Sequence, residues 1–165
     1  MDRWEYLVSE PYTLRHLIAS YAVRSMPYVV DIGSYKIKPS VNGKLFCIDP
    51  LKTMVDSYHG TVKQWMDQNY YQIKDFAYGV VILGLDIEGG EEEFNAILDL
   101  IKNSSVTVLD VPIDHQPSVQ QCDIILARCN KKVETEADFR YPELNLPGFP
   151  SFRNRKLYIL KGDVC

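Results

Sequence analysis

The chain has 165 residues, 46% of them apolar and 24% charged, with a formal net charge of -4. That length suits one domain, able to bury roughly 70% of the surface its unfolded form would expose. The acidic balance argues against a binder of phosphate backbones, which needs a concentrated set of Lys and Arg, and no long polar or repetitive tract suggests a disordered tail or a repeat array.

The longest run free of charged and strongly polar side chains, "FAYGVVILGL" from Phe76 to Leu85, is too short to span a bilayer as a helix. The opening "MDRWEYLVSEPY" carries acids early and lacks an apolar signal core, so a cytoplasmic protein is expected, with no membrane partner. Cys47, Cys122, Cys129 and Cys165 show no metal-ligand spacing and no CxxC, so they read as reduced thiols and no metal site is expected. One small basic cluster, "RNRK" from Arg153 to Lys156, reads as a solvated turn.

In chain order, Leu14, Leu17, Ile18, Tyr21 and Ala22 fall at helical spacing, which predicts an amphipathic helix from Pro11 to about Arg24, stopped by Pro27. "YVVDI" and "LFCID" are apolar runs that each end in an acid, and they read as strands one and two. The turn-prone "KPSVNGK" lies between them, and the connection is too short for a full crossover helix. "SYHGTV" reads as a third strand and "KQWMDQNYYQI" as a helix turning Trp65, Met66 and Tyr70 inward. "YGVVILGLD" is apolar throughout, as a central parallel strand covered on both faces would be. Gly89 and Gly90 break the chain before "EEEFNAILDLIK", a helix with acids in its first turn and lysine in its last.

"SVTVLDVP" is the fifth strand, "PSVQQCDIILARC" a helix, and "KKVETEADF" and "RKLYILKG" a closing pair joined by a long proline-containing loop. The alternation predicts one α/β domain over 1–165: an N-terminal helix in 1–26 and a core over 28–162, a mostly parallel seven-stranded sheet with helices on both faces and a C-terminal antiparallel hairpin.

In such sheets ligands bind beyond the carboxyl ends of the strands, which directs attention to Asp31 to Ser34, Asp49 to Leu51, His59 to Val62, Gly84 to Glu88 and Asp110 to His115. Asp31-Ile32-Gly33 places a carboxylate and then a residue without a Cβ, allowing close backbone approach to a ligand. Asp49 ends strand two, where a carboxylate can accept both hydrogen bonds of a ribose diol. No GxGxxG is present to receive a pyrophosphate, which disfavours an NAD enzyme and favours an uncharged or cationic adenosine derivative.

At these residues the sequence resembles the class I S-adenosylmethionine-dependent methyltransferase family. "VVDIGS" is similar to that family's first motif, "FCIDP" to its second, and "YGVVILGLDIEGGEEEFNAILDLIKNSSVTVLDVP" to its fourth-strand, helix and fifth-strand block. The likeness runs over about residues 28 to 162. It implies S-adenosylmethionine as cofactor, with Asp31, Gly33 and Ser34 toward the methionine end, Asp49 on the ribose, and Gly60, Thr61 and Val62 near the adenine. Gly84, Leu85 and Asp86 would face the methyl group and substrate.

Asp86 and His115 are the candidate catalytic groups, His115 as a base if the acceptor must lose a proton early. Each also has a plain structural reading: Asp31 and Asp49 as acceptors of turn amides, Asp86 as a loop cap, His115 as a turn residue opening a helix. "SYKIKPSVNG" departs from the family in lacking its further glycines and its early helix. The expected activity is methylation of a small molecule, with a non-catalytic scaffold of the same fold as the alternative. A homodimer through exposed aromatic loops fits either.

Overall fold

The computed structural model describes residues 15–33, 39–49, 57–140 and 154–162. Six strands form one sheet: β1 Tyr28–Ile32, β2 Lys44–Ile48, β3 Tyr78–Leu83, β4 Val106–Pro112, β5 Lys132–Arg140 and β6 Asn154–Lys161. Four helices accompany them: α1 (15–22), α2 Val62–Asn69, α3 Gly90–Lys102 and α4 Gln116–Arg128. A short 3-10 turn, Tyr70–Gln72, extends α2. No described helix is long and apolar enough to cross a membrane.

The strand order is β2-β1-β3-β4-β6-β5. β1 pairs in parallel with β2 and β3, and β3 with β4; β6 runs antiparallel to both β4 and β5. β3 is buried along nearly its whole length and β4 throughout, Thr107 and Asp110 included; the unbroken apolar run of β3 is what a strand covered on both faces requires. The chain moves from β1 to β2 in one direction and then returns to place β3 on the other side of β1. The winding therefore reverses between β1 and β3, and a crevice opens at such a point beyond the carboxyl ends.

Two cores flank the sheet. On one face, Val30, Val80, Ile82 and Leu109 pack beneath Val62 and Trp65 of α2, Ile97, Leu98 and Ile101 of α3, and Cys122 and Ile125 of α4. On the other, Val29, Val81, Val106 and Val108 meet Ala19, Ala22 and nearby Val23.

The sheet has six strands among the described residues, where the sequence suggested seven. The expected third strand contracts to one parallel bridge, Tyr58 to Ile48, along the outer edge of β2. The chain cannot continue extended because Thr61 begins a helix. Its hydroxyl accepts from Gln64 N at 3.1 Å while the Gln64 side chain accepts from Thr61 N at 3.0 Å, a reciprocal cap that fixes the start of α2.

The buried side of α1 differs from expectation in part. Ala22 is buried and Ile18 packs against the same core, as expected, but Leu17 and Tyr21 are exposed while Ala19 and the nearby Val23 are buried; Leu14 lies outside the described residues. The cause is close packing: a Cβ at Gly79 of β3 would come within 2.8 Å of Val23 Cγ1. With the chain so near the sheet, the small side chains of the helix face inward. Residues 39–43 between β1 and β2 contain neither helix nor strand, and Lys44 N donates to Pro27 O at 2.9 Å where the connection rejoins the sheet.

Candidate active site

A cavity of about 300 Å³ lies at the carboxyl ends of β1, β2 and β3, at the reversal of the winding. Its volume is at the lower end of the range of small-molecule sites, roughly 300–1,000 Å³. The apolar wall includes Ile32, Ile48, Ile82, Ile87 and Ile97, and its acidic groups are Asp49, Asp86, Glu88 and Glu93. No Lys or Arg is among the described residues that line it.

Gly33 follows β1 with φ of 77°, in the left-handed region, and a Cβ built there would meet none of the described residues within 4 Å. Among the described residues this backbone is therefore uncovered at the mouth of the cavity, and Gly33 N donates to Ile48 O at 2.8 Å to tie the two strand ends together. Asp49 is 2% exposed, and its backbone N donates to Tyr58 O at 2.9 Å. The single bridge that remains of the expected third strand is thus what holds Asp49 in the wall.

On the far side, Gly84 follows β3, also with φ of 77°. Gly84 N lies 3.0 Å from Asp110 Oδ2 and 3.1 Å from Asp110 O, and Leu85 N donates to Asp110 O at 2.8 Å. Ile87 is held by a two-way exchange with Gln121 of α4, at 2.8 and 2.9 Å. Asp86 is exposed between these two anchors.

Of the residues singled out in the sequence, Gly33, Asp49, Gly60, Val62, Gly84 and Asp86 come together around the cavity. Leu85 does not join them: its side chain is fully buried in the core beneath the helices. Thr61 is spent on capping α2. Asp31 is 3% exposed, and strand alternation directs it with Val29 to the face covered by α1. His115 opens α4, its Nδ1 2.8 Å from Ser118 Oγ within its own first turn. Ser34 lies outside the described residues.

Two elements of the site escaped the sequence. Glu93, in a run of three acids assigned to the dipole of α3, is 8% exposed and bonds to α2 instead. Arg155, within the basic cluster expected to be a solvated turn, is 4% exposed and lies 3.1 Å from Asp110 Oδ2; Arg15 of α1 reaches the same oxygen. Of that cluster only Lys156 behaves as a surface charge among the described residues, pairing with Glu136 at 2.9 Å.

No protein-family model matches the chain, and no curated protein matches it significantly. Solved structures do. A precorrin-6y C5,15-methyltransferase from Geobacter metallireducens superposes with a TM-score of 0.52 at 13% identity, over 88% of this chain and 85% of that one. A proposed RNA methyltransferase from Pyrococcus horikoshii gives 0.50 at 12% identity, over 94% and 83%. A proposed methyltransferase from Thermoplasma acidophilum gives 0.50 at 13% identity, over 86% and 70%. The chain has the fold of the class I S-adenosylmethionine-dependent methyltransferases.

The residues around the cavity are chemically compatible with such a cofactor: Asp49 brings a carboxylate to the wall, Gly33 leaves backbone open to close approach among the described residues, and the acids of the wall complement a sulfonium cation.

Proposed function

We propose that the chain is an S-adenosylmethionine-dependent methyltransferase acting on a small, uncharged or cationic molecule. The observation that carries this reading is the composition of the cavity wall at the sheet's switch point: carboxylates and apolar side chains, with no cationic side chain among the described residues. The cofactor, when bound, supplies a methyl group on a sulfonium that needs no further activation.

The protein's part is to bind and align. Asp49 accepts from the ribose hydroxyls, Gly33 allows the backbone to approach the aminoacyl end, and Gly60 and Val62 flank the base. Asp86 and the backbone of Gly84 border the acceptor side. Alignment of a nucleophile with the transferable carbon is the main catalytic demand, so the lack of a triad among the described residues around the cavity is compatible with turnover. His115 is engaged with Ser118 and is left out of the proposed machinery.

An RNA acceptor, which its name gives the Pyrococcus protein, fits poorly here, because a net charge of -4 and an acidic wall would repel phosphates. The three described cysteines are buried thiols, in keeping with a cytoplasmic setting. A second reading, a scaffold that keeps the fold without the chemistry, draws on the short connection between β1 and β2. Calorimetric titration with S-adenosylhomocysteine separates the two. Micromolar binding that Asp49→Ala abolishes supports the enzyme, and no heat from the folded protein leaves the scaffold.

A further inference from the structure

The segment between β3 and α3 has no helix or strand of its own, and glycines with positive φ, Gly84 and Gly89, stand at its two ends. Three consecutive residues in its middle, Asp86, Ile87 and Glu88, line the cavity. What holds them comes from α4: Gln121 Oε1 accepts from Ile87 N at 2.8 Å, and Gln121 Nε2 donates to Ile87 O at 2.9 Å. Among the described residues no other hydrogen bond reaches Asp86, Ile87 or Glu88. Gln121 itself is not among the described residues that line the cavity.

A side-chain amide carries the acceptor and the donors of a peptide group, so Gln121 stands to Ile87 as a neighbouring strand would in a sheet. A wall fixed in this way does not have to be ordered when a ligand enters, and the affinity that ordering would cost is kept. We propose that Gln121 is a positioning residue of the cavity: acting through Ile87, it holds that side chain and its two acidic neighbours in the shape that an adenosyl ligand meets. The inference rests on the reading of the cavity as an adenosyl site. Gly84 and Leu85 are anchored separately on Asp110, so loss of the Gln121 bonds frees the segment while β3 and α3 stay in place.

The test compares the affinities of the intact protein, Gln121→Met and Gln121→Glu for S-adenosylhomocysteine, with the urea midpoint of each. Gln121→Met keeps the side-chain length and removes both bonds, so affinity should fall roughly tenfold with the midpoint unchanged. Near neutral pH Gln121→Glu keeps an acceptor for Ile87 N but sets a carboxylate against Ile87 O, and it should lose as much. A carboxyl facing a carbonyl oxygen is raised above its ordinary value of about 4.3, and once protonated it donates to that oxygen as the amide does. The affinity of Gln121→Glu relative to the intact protein should therefore recover as the pH falls to about 5, a ratio in which the titration of Asp49, Asp86, Glu88 and Glu93 in the wall cancels. Unchanged affinity in Gln121→Met overturns the proposal, as does a loss that tracks a lowered midpoint with no recovery in Gln121→Glu. Should Gln121→Met fail to fold, the recovery of Gln121→Glu decides. An intact protein that binds no S-adenosylhomocysteine is the separate case in which the adenosyl reading fails and takes this role with it.

Discussion

Arg155 of β6 and Asp110 of β4 lie diagonally across an antiparallel strand pair, two positions out of register, with Nη1 and Oδ2 3.1 Å apart and both side chains almost wholly buried. The same Asp110 oxygen accepts from Gly84 N at the edge of the cavity and from Arg15 of α1. One carboxylate thus joins the N-terminal helix, the closing strand and the turn that borders the acceptor side. Removing it leaves two buried guanidinium groups without that counter-charge, a loss worth about 3–5 kcal/mol for buried pairs. Asp110→Ala should lower the unfolding free energy in urea by that order. The surface pair Lys156–Glu136 offers the contrast: Lys156→Ala should leave the urea midpoint nearly unchanged, because solvent screens the pair. Equal effects would show that the buried cluster has no special structural weight.

Gly33 should matter to ligand more than to fold. Its positive φ makes any L-residue costly there by about 1–2 kcal/mol, but no atom of the described residues lies within 4 Å of where a Cβ would stand. Gly33→Val therefore puts a branched side chain into open space at the cavity mouth. Affinity for S-adenosylhomocysteine is expected to fall by roughly tenfold or more, with the protein still folded by circular dichroism. Unchanged affinity would place the ligand elsewhere.

Burial pushes the Cys122 thiol up to about 11, and Cys129 moves in the same direction for the same reason. A raised value means less thiolate at a given pH, and thiolate is the reactive form. At about pH 8, near the ordinary thiol value, neither residue should be alkylated by iodoacetamide in the native protein, and both should be in urea, as read by peptide mass spectrometry. Stoichiometric native labelling of either would contradict their burial on the inward side and at the end of α4.

Much of this arrangement is legible in the sequence. An unbroken apolar run announces β3, whose burial on both faces leaves no room for alternation, and a β-branched, mainly apolar run announces β4. Acids and glycines after apolar runs mark Gly33, Asp49, Gly84 and Asp86, because a short strand fixes where its end must fall. What stays hidden depends on partners distant in the chain. Nothing local tells that Glu93 caps a helix begun some thirty residues earlier, or that Arg155, in a basic run, belongs to Asp110. The inward side of α1 departs from expectation at Leu17 and Tyr21, which hydrophobicity favours but which are exposed, whereas Ala19 joins the expected Ala22 beside the Val23 that approaches Gly79. The third strand is lost because "SYHGTV" has strand-like composition, while the Thr61–Gln64 cap starts a helix inside it.

A crystal structure of the protein with S-adenosylhomocysteine would show whether the cavity is the adenosyl site. Ligand density is expected beyond the carboxyl ends of β1 and β3, with the ribose diol on the Asp49 carboxylate and the adenine beside Gly60 and Val62. A ligand bound elsewhere, or none at saturating concentration, would contradict it.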